Sequence, residues 1–262
     1  MKIALISLNQ AWEEKSKNLK RCEKQLKIAS GNEASLAVFP EMTLTGYSLR
    51  HSLAESFEES QSVKEFSNLA RKYSISIIFG MSVTNGIKLL NRLVYLGKDG
   101  GVLGFYDKIH PFTFANEDQF FDSGTALVSK NIEDINTAFS ICYDLRFPEI
   151  FSLQAASNEL FINIANWPGS RIDHFVSLLK ARAIENQAFA IGVNRIGTDG
   201  RGVKYSKSSV CFDPYGVRLK PIFASRELDI IEIDKSIVQS YRKKFTAVKD
   251  KKFELYKDQK RV

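Results

Sequence analysis

The sequence has few cysteines and no long hydrophobic run. None of its 262 residues lie in an apolar stretch approaching the roughly 18 residues of a transmembrane helix, so we expect no membrane span. Cys22, Cys142 and Cys211 lie far apart with no CxxC pair, which excludes a disulfide framework and a zinc motif. The first apolar run is too short for a signal peptide, and no small-residue cleavage site follows it. We therefore expect a cytoplasmic protein with free thiols.

The sequence also lacks the charge pattern of a nucleic-acid-binding or membrane-binding protein. Its 37 Lys and Arg residues outnumber its 30 Asp and Glu residues, giving a net charge of +7, but they are spread along the chain. The densest basic cluster lies in roughly the last 20 residues, where acidic residues interleave with it. Its members are Lys249, Lys251, Lys252, Lys257, Lys260 and Arg261, with Asp250, Glu254 and Asp258 between them. We interpret this segment as a solvated basic tail and expect neither nucleic acid nor a membrane as a partner.

Short β-rich runs alternate with longer amphipathic stretches, and no linker, repeat or change of composition divides the chain. Helices are predicted over residues 12–29, 57–73, 148–157 and 173–187, and an irregular segment over residues 108–130. Strands are predicted over residues 2–8, 35–39, 75–79, 89–96, 102–106, 137–142, 160–165, 188–194, 208–212 and 228–233. This alternation predicts one α/β domain over residues 1–262. Periodicity does not distinguish a doubly wound sheet from a two-sheet sandwich, although no GxGxxG follows the first strand to suggest a dinucleotide site.

Cys142 is the first candidate for chemistry. It follows the apolar residues 138–141 and precedes a helix expected to begin at Pro148. A cysteine at such a corner lies in a cleft, where backbone N–H groups can stabilise a thiolate or an oxyanion. Free cysteines are also commonly buried as small hydrophobic residues, an interpretation that fits Cys22 on a helix stripe and Cys211 within a strand. From its local sequence alone, Cys142 could serve either role.

A nucleophilic thiol needs a proton acceptor, and histidine is the usual one. The sequence has three histidines, His51, His110 and His174. His51 lies in a polar segment and His174 near a predicted helix start, where surface or capping roles are expected, and His110 has no evident orienting partner. A Cys–His enzyme of the papain or glutaminase type therefore stays open, without local support.

Two other ionisable residues follow predicted buried strands. Glu41 comes just after residues 35–39, and Lys108 just after residues 102–106. A carboxylate flanked by apolar residues can act as a general base, and a lysine at such a place can stabilise a developing oxyanion. Each alone is an ordinary charge at a strand end, so the combination with Cys142 carries the argument.

Together, Glu41, Lys108 and Cys142 resemble the Glu-Lys-Cys triad of the nitrilase, or carbon-nitrogen hydrolase, superfamily. The resemblance runs nearly end to end, through the segments Phe39-Pro40-Glu41, Tyr106-Asp107-Lys108-Ile109-His110, Cys142-Tyr143-Asp144-Leu145-Arg146-Phe147-Pro148-Glu149, Ala181-Arg182-Ala183-Ile184-Glu185-Asn186-Gln187 and Asp213-Pro214-Tyr215-Gly216. It implies a single-domain α-β-β-α four-layer sandwich with no metal and no organic cofactor. It also implies a homodimer or higher homo-oligomer, with an interface near the nucleophile.

Within this superfamily, the sequence is most similar to bacterial ω-amidases that act on 2-oxo-acid amides. The similarity lies in the segments Ala115-Asn116-Glu117-Asp118, Asn166-Trp167-Pro168 with Arg171 and His174, Asn194-Arg195-Ile196-Gly197-Thr198-Asp199-Gly200 and Tyr241-Arg242-Lys243-Lys244-Phe245. Two departures bear on the packing of the pocket. Phe175 stands where the family often has Trp, and Thr246-Ala247-Val248 stands where it often has Pro-Ala-Trp.

The resemblance implies that water hydrolyses a small amide through a thioester on Cys142. The substrate would be the ω-amide of a 2-oxo dicarboxylic acid, with 2-oxoglutaramate giving 2-oxoglutarate and ammonia. Glu41 would be the general base, and Lys108 with the backbone N–H of Tyr143 would stabilise the oxyanion. Glu117 matches the second glutamate of the family, which supports the base.

The carboxylate of such a substrate needs a cation. Arg171 is the preferred candidate because it follows Trp167-Pro168, where family pockets recognise substrate, and because a guanidinium can bind a carboxylate bidentately. Arg146 is the other candidate for this carboxylate, although a structural ion pair beside Cys142 is the preferred role for it. Tyr47 and Trp167 are candidate pocket walls. The alternatives are an N-carbamoyl hydrolase, a deaminated-glutathione amidase, a nitrilase, and an inactive relative that serves as a binding or scaffold protein.

Overall fold

The structure is a computed structural model that describes residues 1–257. Its helices are α1 (Lys15–Gly31), α2 (Gln61–Tyr73), α3 (Glu117–Phe120), α4 (Pro148–Ser152), α5 (Ile172–Asn186), α6 (Lys235–Lys244) and α7 (Phe253–Lys257). Its strands are β1 (Lys2–Ile6), β2 (Leu36–Val38), β3 (Ser76–Asn85), β4 (Lys88–Leu96), β5 (Val102–Asp107), β6 (Ser129–Ile132), β7 (Ile135–Ile141), β8 (Leu160–Ala165), β9 (Phe189–Asn194), β10 (Gly197–Thr198), β11 (Lys204–Tyr205), β12 (Val210–Phe212), β13 (Phe223–Ala224) and β14 (Leu228–Glu232).

The strands form two large sheets and one small pair. The larger sheet has the order β13-β14-β1-β2-β3-β4-β5, and the second sheet has the order β12-β9-β8-β7-β6. Strands β1, β2 and β3 are parallel in the first sheet, and β7, β8 and β9 are parallel in the second. Since β4 is antiparallel to both β3 and β5, the strands β2, β3 and β5 all run in one direction. Strands β10 and β11 form a separate antiparallel hairpin.

The two large sheets pack face to face, and helices cover both outer faces. The core between the sheets includes Ile3, Val38, Ile78, Phe139, Ile162 and Ile191, all essentially inaccessible to solvent. Helices α1 and α2 cover the first sheet through Cys22, Leu26 and Phe66, and α5 covers the second through Phe175 and Leu179. This layering confirms the α-β-β-α sandwich that the resemblance predicts.

Burial on both faces explains why the central strands have uninterrupted apolar sequences. All six residues of β8 and all six of β9 are buried, as is typical of parallel strands covered on each side. Helix termini follow local signals: the Ser60 hydroxyl accepts a hydrogen bond from the Val63 N–H at the start of α2, and Asp234 caps α6 through the Ser236 N–H. Sequence periodicity and capping therefore position most of the predicted elements.

Several predicted boundaries differ from the structure, and two of them differ most. Strand β3 continues past residue 79 to Asn85, because its second half pairs with β4 from Met81↔Arg92 to Asn85↔Lys88. Gly80 interrupts the apolar run there, and glycine is a weak strand signal. Helix α4 ends at Ser152 and not at residue 157, since the following residues close tighter turns such as Gln154 N–H to Phe151 O.

The segment predicted as a basic tail is partly attached to the body of the protein. The Val248 N–H donates to Gln187 Oε1, and Lys251 Nζ lies 2.8 Å from Asn186 Oδ1, at the end of α5. Asp258, Lys260 and Arg261 of the predicted tail lie outside the described residues. Among residues 1–257, no helix combines the length and the apolar character that crossing a membrane requires.

Candidate active site

Glu41, Lys108 and Cys142 follow strands β2, β5 and β7, and the fold brings them to one end of the sandwich. Glu41 and Lys108 are at the same edge of the first sheet, because β2 and β5 run in one direction. Lys108 Nζ lies 3.1 Å from Glu41 Oε1, and both side chains are inaccessible to solvent. Cys142 comes from the facing sheet and lines the same cavity as Lys108. The three residues that sequence resemblance singles out are thus neighbours in space.

The backbone at Glu41 lies directly against β3, where Gly80 makes this approach sterically feasible. A Cβ atom on residue 80 would lie 2.6 Å from Met42 N and 2.8 Å from Glu41 Cα, closer than real Cβ contacts. Thr43 secures the contact, because its N–H donates to Gly80 O at 2.8 Å and its hydroxyl accepts from Gly80 N at 3.0 Å. The glycine that weakens the strand signal therefore positions the candidate base.

The Glu41 carboxylate is held by donors on both oxygens. Oε1 accepts from Asn91 Nδ2 at 2.7 Å and from Lys108 Nζ at 3.1 Å. Oε2 accepts from the backbone N–H of Asn166 at 2.9 Å. A buried carboxylate with donors on both oxygens has a fixed orientation.

Glu117, the first residue of α3, binds the other side of Lys108. Its Oε2 accepts from Lys108 Nζ at 2.7 Å, from the Phe112 N–H at 2.6 Å and from the Tyr47 hydroxyl at 3.1 Å. Its Oε1 accepts from Asn91 Nδ2 at 3.0 Å, so one amide bridges both carboxylates. We call Glu41, Lys108, Glu117 and Asn91 the charged cluster.

Electrostatics in this cluster keep the lysine charged and the thiol neutral. Burial lowers the pKa of Lys108, but the charges of Glu117 and Glu41 outweigh it and raise the pKa well above its usual value. Burial raises the pKa of Glu117, yet the charge of Lys108 and three hydrogen bonds bring it below its usual value. Burial and then the Glu41 charge raise the pKa of the Cys142 thiol well above its usual value. As a candidate nucleophile, Cys142 is therefore a neutral thiol that would need a base.

Cys142 sits at a strained corner of the chain. It begins a 3-10 turn over Cys142–Arg146 with φ of +46°, a left-handed conformation that is costly for a residue with a Cβ atom. Asp144 holds the turn, because its buried carboxylate accepts from the Ile141 N–H at 3.0 Å and from the Tyr106 hydroxyl at 2.8 Å. Arg182 from α5 donates to the Leu145 carbonyl at 2.8 Å. Neighbouring elements thus enforce the conformation that points the thiol into the cavity.

The three histidines lie elsewhere. His110 Nδ1 is 2.8 Å from Asp144 Oδ1, and its ring stacks on Phe147 at 3.7 Å, so the expectation that it has no orienting partner is wrong. His51 is exposed, and His174 is exposed beside Arg146. None of the three is among the described residues that line the cavity, which argues against a Cys–His dyad.

The cavity has a volume of about 360 Å³ and is rich in aromatic side chains. Its lining includes all four residues predicted to bind substrate, together with further aromatic side chains and two more arginines: Tyr47, Phe112, Phe114, Tyr143, Trp167, Tyr205, Arg146, Arg171 and Arg201. Trp167 Nε1 donates to the Arg171 carbonyl at 2.7 Å, which ties these two walls together. The expectation that Arg146 forms an ion pair is wrong, because its guanidinium stacks on the Trp167 ring at 4.9 Å and contacts His174.

Sequence reasoning missed Asn91 and Arg201. Asn91 interrupts the apolar residues of β4, and a polar residue inside a buried strand is a signal that could have revealed it. Arg201 lies between two glycines in a short loop and has no such local signal. As for metal ligands, nowhere in residues 1–257 do three or more His, Cys, Asp or Glu side chains form a group able to hold an ion.

A four-layer sandwich with a buried Glu and Lys beside a partly buried Cys at its strand ends defines the protein as a hydrolase of the nitrilase superfamily. A family model described as carbon-nitrogen hydrolase matches residues 2–243, and the chain belongs to that family. It is therefore an enzyme that hydrolyses carbon–nitrogen bonds other than peptide bonds.

Similar proteins agree with this assignment. Omega-amidase YafV from Escherichia coli K12 is 32% identical over 251 residues, which cover 95% of this chain and 96% of that protein. The 2-oxoglutaramate amidase from Bacillus subtilis strain 168 is 30% identical over 218 residues, covering 82% and 83%. Among solved structures, XC1258 from Xanthomonas campestris, described as a CN-hydrolase superfamily protein with an arsenic adduct in its active site, has a TM-score of 0.87 at 26% identity and covers 96% of this chain and 97% of that one. The predicted superfamily and fold are confirmed.

The close contact at Gly80 predicts that Gly80→Ala will impair activity. The added methyl group must displace the backbone of Glu41 or Met42, so we expect amidase kcat to fall at least about tenfold, since a shift of about 1 Å at a reacting group can cost that much or more. Gly31→Ala is the matched control, because a Cβ there meets no atom within 4 Å. Full activity of Gly80→Ala in steady-state assays would contradict the steric argument.

Proposed function

We propose that this enzyme is a cysteine-dependent ω-amidase that converts 2-oxoglutaramate, or a similar ω-amide of a 2-oxo dicarboxylic acid, to the acid and ammonia. The observation that carries the proposal is the charged cluster beside Cys142, in a cavity whose other cations have no carboxylate partner among residues 1–257. The ω-amidase and 2-oxoglutaramate amidase relatives support the choice of substrate class.

The reaction would begin with a proton transfer. Because the Cys142 thiol is neutral at rest, Glu41 takes its proton as the sulfur attacks the amide carbon. The tetrahedral intermediate collapses when the protonated Glu41 gives that proton to the leaving nitrogen. The carbon–nitrogen bond breaks, ammonia leaves, and a thioester on Cys142 remains.

Lys108 is suited to stabilising the oxyanion. An ammonium group has three N–H donors, and two of them are directed to Glu41 and Glu117, so one stays available for the substrate oxygen. Tyr143, the second residue of the 3-10 turn, offers a backbone N–H at a helix start, where such groups have no partner within the helix. Two preorganised donors of this kind form an oxyanion hole.

Hydrolysis of the thioester would reuse the same groups. Glu41 removes a proton from water as the hydroxide attacks the thioester carbon, and the Cys142 sulfur leaves when the second tetrahedral intermediate collapses. Glu41 then returns the proton to the sulfur, which restores the resting state. Glu117 keeps Lys108 charged and fixed throughout, because it makes the shorter contact with Nζ, at 2.7 Å.

The first test is ammonia release from 2-oxoglutaramate by the wild type and by Cys142→Ala. We expect rapid turnover by the wild type and none by the variant, whose circular dichroism and Tm should stay close to the wild type. Cys22→Ala is the matched control, since Cys22 is buried on the inner face of α1 and its replacement should affect stability only. Glutamine and an N-carbamoyl amino acid serve as comparison substrates. Turnover by Cys142→Ala would refute the thioester mechanism, and turnover of the carbamoyl compound alone would refute the substrate.

Glu41→Gln, measured in the same assay, tests whether Glu41 is the general base. Both proton transfers depend on this carboxylate, so we expect kcat to fall on the order of 10²–10⁴-fold.

Arg171 is proposed to bind the substrate carboxylate. Its side chain lines the cavity over the Phe112 ring, at 5.7 Å, and makes no hydrogen bond to another described residue. A hydrogen bond to a charged partner contributes about 1.5–3 kcal/mol, so Arg171→Ala should raise KM about 10–100-fold for 2-oxoglutaramate. KM for a neutral amide such as butyramide should change little. An equal effect on both substrates would contradict this role.

A cytoplasmic homodimer remains the expected state of the protein. An apolar surface supports it, with Ile184 on α5 beside the turn at Gly216. In the same surface, the Tyr241 ring centre lies 4.1 Å from that of Tyr215 and 6.0 Å from that of Phe245. Ile184, Tyr215 and Phe245 are each about half exposed. Covering this surface would also brace α5, which contacts the nucleophile turn through Arg182.

The dimer is tested by sedimentation equilibrium at micromolar concentration. We expect twice the mass of the single chain for the wild type and for the control Ile87→Glu, whose side chain is almost fully exposed in the turn between β3 and β4. Ile184→Glu should sediment as a monomer, because a charge would be buried in the interface. A monomeric wild type would overturn the expectation.

A further inference from the structure

The charged residues of the cavity are all cations. The described residues that line it include Lys108, Arg146, Arg171 and Arg201, and no Asp or Glu. Lys108 is already paired with two carboxylates. Within residues 1–257, none of the three arginines has a carboxylate within 4.0 Å. Such a cavity has a positive potential that attracts an anionic ligand.

The side chain of Arg201 packs against the wall of the cavity that contains Tyr47 and leads to the charged cluster. Its guanidinium lies 5.2 Å from the centre of the Tyr47 ring and 5.7 Å from that of Trp12. Its Nη2 donates to the Tyr47 carbonyl at 3.2 Å. The Tyr47 hydroxyl in turn reaches Glu117, so Arg201 lies on the exposed part of a wall whose inner end is the cluster.

The loop that carries Arg201, between β10 and β11, is built to hold this position. Asp199 is only 6% exposed, and its Oδ1 accepts from the backbone N–H groups of Arg201 at 2.9 Å and Val203 at 3.0 Å. Its Oδ2 accepts from the Tyr205 hydroxyl at 2.9 Å. The carboxylate nearest to Arg201 along the chain is therefore used to shape the loop and does not form an ion pair with the guanidinium.

Gly200 allows the loop to pack against the protein. A Cβ atom at this position would lie 2.4 Å from Trp12 Cδ1, so only glycine lets the chain pass this close to the indole ring. The indole and Tyr47 then flank Arg201, and cation–π contacts hold a guanidinium while leaving its N–H edge available. Only one of its N–H groups is directed to a described protein acceptor.

We infer that Arg201 is a specificity-determining residue that binds the anionic end of the substrate at the solvent-exposed part of the cavity. This inference rests on the proposed amidase function and adds a second guanidinium to the one assigned to Arg171. The two guanidiniums lie on different walls of the cavity, that of Arg201 over the Tyr47 ring and that of Arg171 over the Phe112 ring. These walls converge at Glu117 Oε2, which accepts from both the Phe112 N–H and the Tyr47 hydroxyl. The substrate class is an amide with a carboxylate at the end remote from the scissile bond.

The kinetic test compares Arg201→Ala with Lys204→Ala on two amides. Lys204 is an exposed cation of the same hairpin that does not line the cavity, so its removal changes the charge but not the proposed contact. For 2-oxoglutaramate, we expect Arg201→Ala to raise KM about tenfold with kcat within about threefold, because the contact is the same in the ground and transition states. Neither constant should change for butyramide, and Lys204→Ala should match the wild type on both. An unchanged KM, or an equal rise for both amides, would overturn the inference while leaving the amidase function intact.

A second experiment tests the same contact by chemical labelling and does not require substrate turnover. Cys142 is labelled with 3-maleimidopropionate and with the neutral N-ethylmaleimide, and labelling at residue 142 is followed by mass spectrometry. We expect the ratio of the two rates to fall at least about fivefold in Arg201→Ala and to stay unchanged in Lys204→Ala, since loss of the guanidinium removes the attraction for the carboxylate only. An unchanged ratio of labelling rates in Arg201→Ala would overturn the inference about Arg201, whether or not the wild type hydrolyses 2-oxoglutaramate. Failure of the wild type to hydrolyse 2-oxoglutaramate would by itself refute only the proposed substrate.

Discussion

One buried ammonium group between two buried carboxylates organises this protein's candidate active site. Burying any one of the three charges alone would cost several kcal/mol, and leaving one unpartnered costs about 3–5 kcal/mol. Here Lys108 is shared by Glu41 and Glu117, and Asn91 fills a remaining site on each carboxylate. The group is stable only when β2, β4, β5 and the start of α3 are all in place. The formation of the site and the packing of the fold are therefore coupled.

Burial and the net charge of this group together determine the state of the candidate nucleophile. Burial raises the pKa of the Cys142 thiol most, and the negative charge that two carboxylates and one ammonium leave next to it adds to that effect. A thiolate formed in advance would be unstable there, so in the proposed mechanism the proton leaves the sulfur only as the substrate is attacked. The strained backbone at Cys142 and the hydrogen bonds made by Asp144 and Arg182 fix the position of the thiol but do not ionise it. Orientation of a neutral thiol is then the main contribution of the second sheet.

The sequence predicts the layers of the fold better than it predicts the contacts of the site. Apolar runs and helical periodicity placed β8, β9 and α5 within a residue or two, because burial on a fixed face dictates those patterns. The resemblance selected Glu41, Lys108 and Cys142, which the structure brings together. Asn91 and the pairing of His110 with Asp144 were missed, because each depends on strands that are distant along the chain. The contact of Arg146 was predicted wrongly for the same reason, because its partner Trp167 follows β8, a strand that only the folded sheet places next to Arg146.

Chemistry and recognition are separated along the cavity. At its buried end Lys108 is paired with two carboxylates that leave a net negative charge, so that part has little affinity for an anion. Toward solvent, three guanidiniums lie near aromatic rings, and in the part of the chain that the structure describes no carboxylate pairs with them. A substrate that is neutral at its amide and anionic at its far end matches both parts, whereas the reverse orientation would place its carboxylate beside Glu41. If the proposed function is right, the distribution of charge that selects such an amide also sets the direction in which it enters.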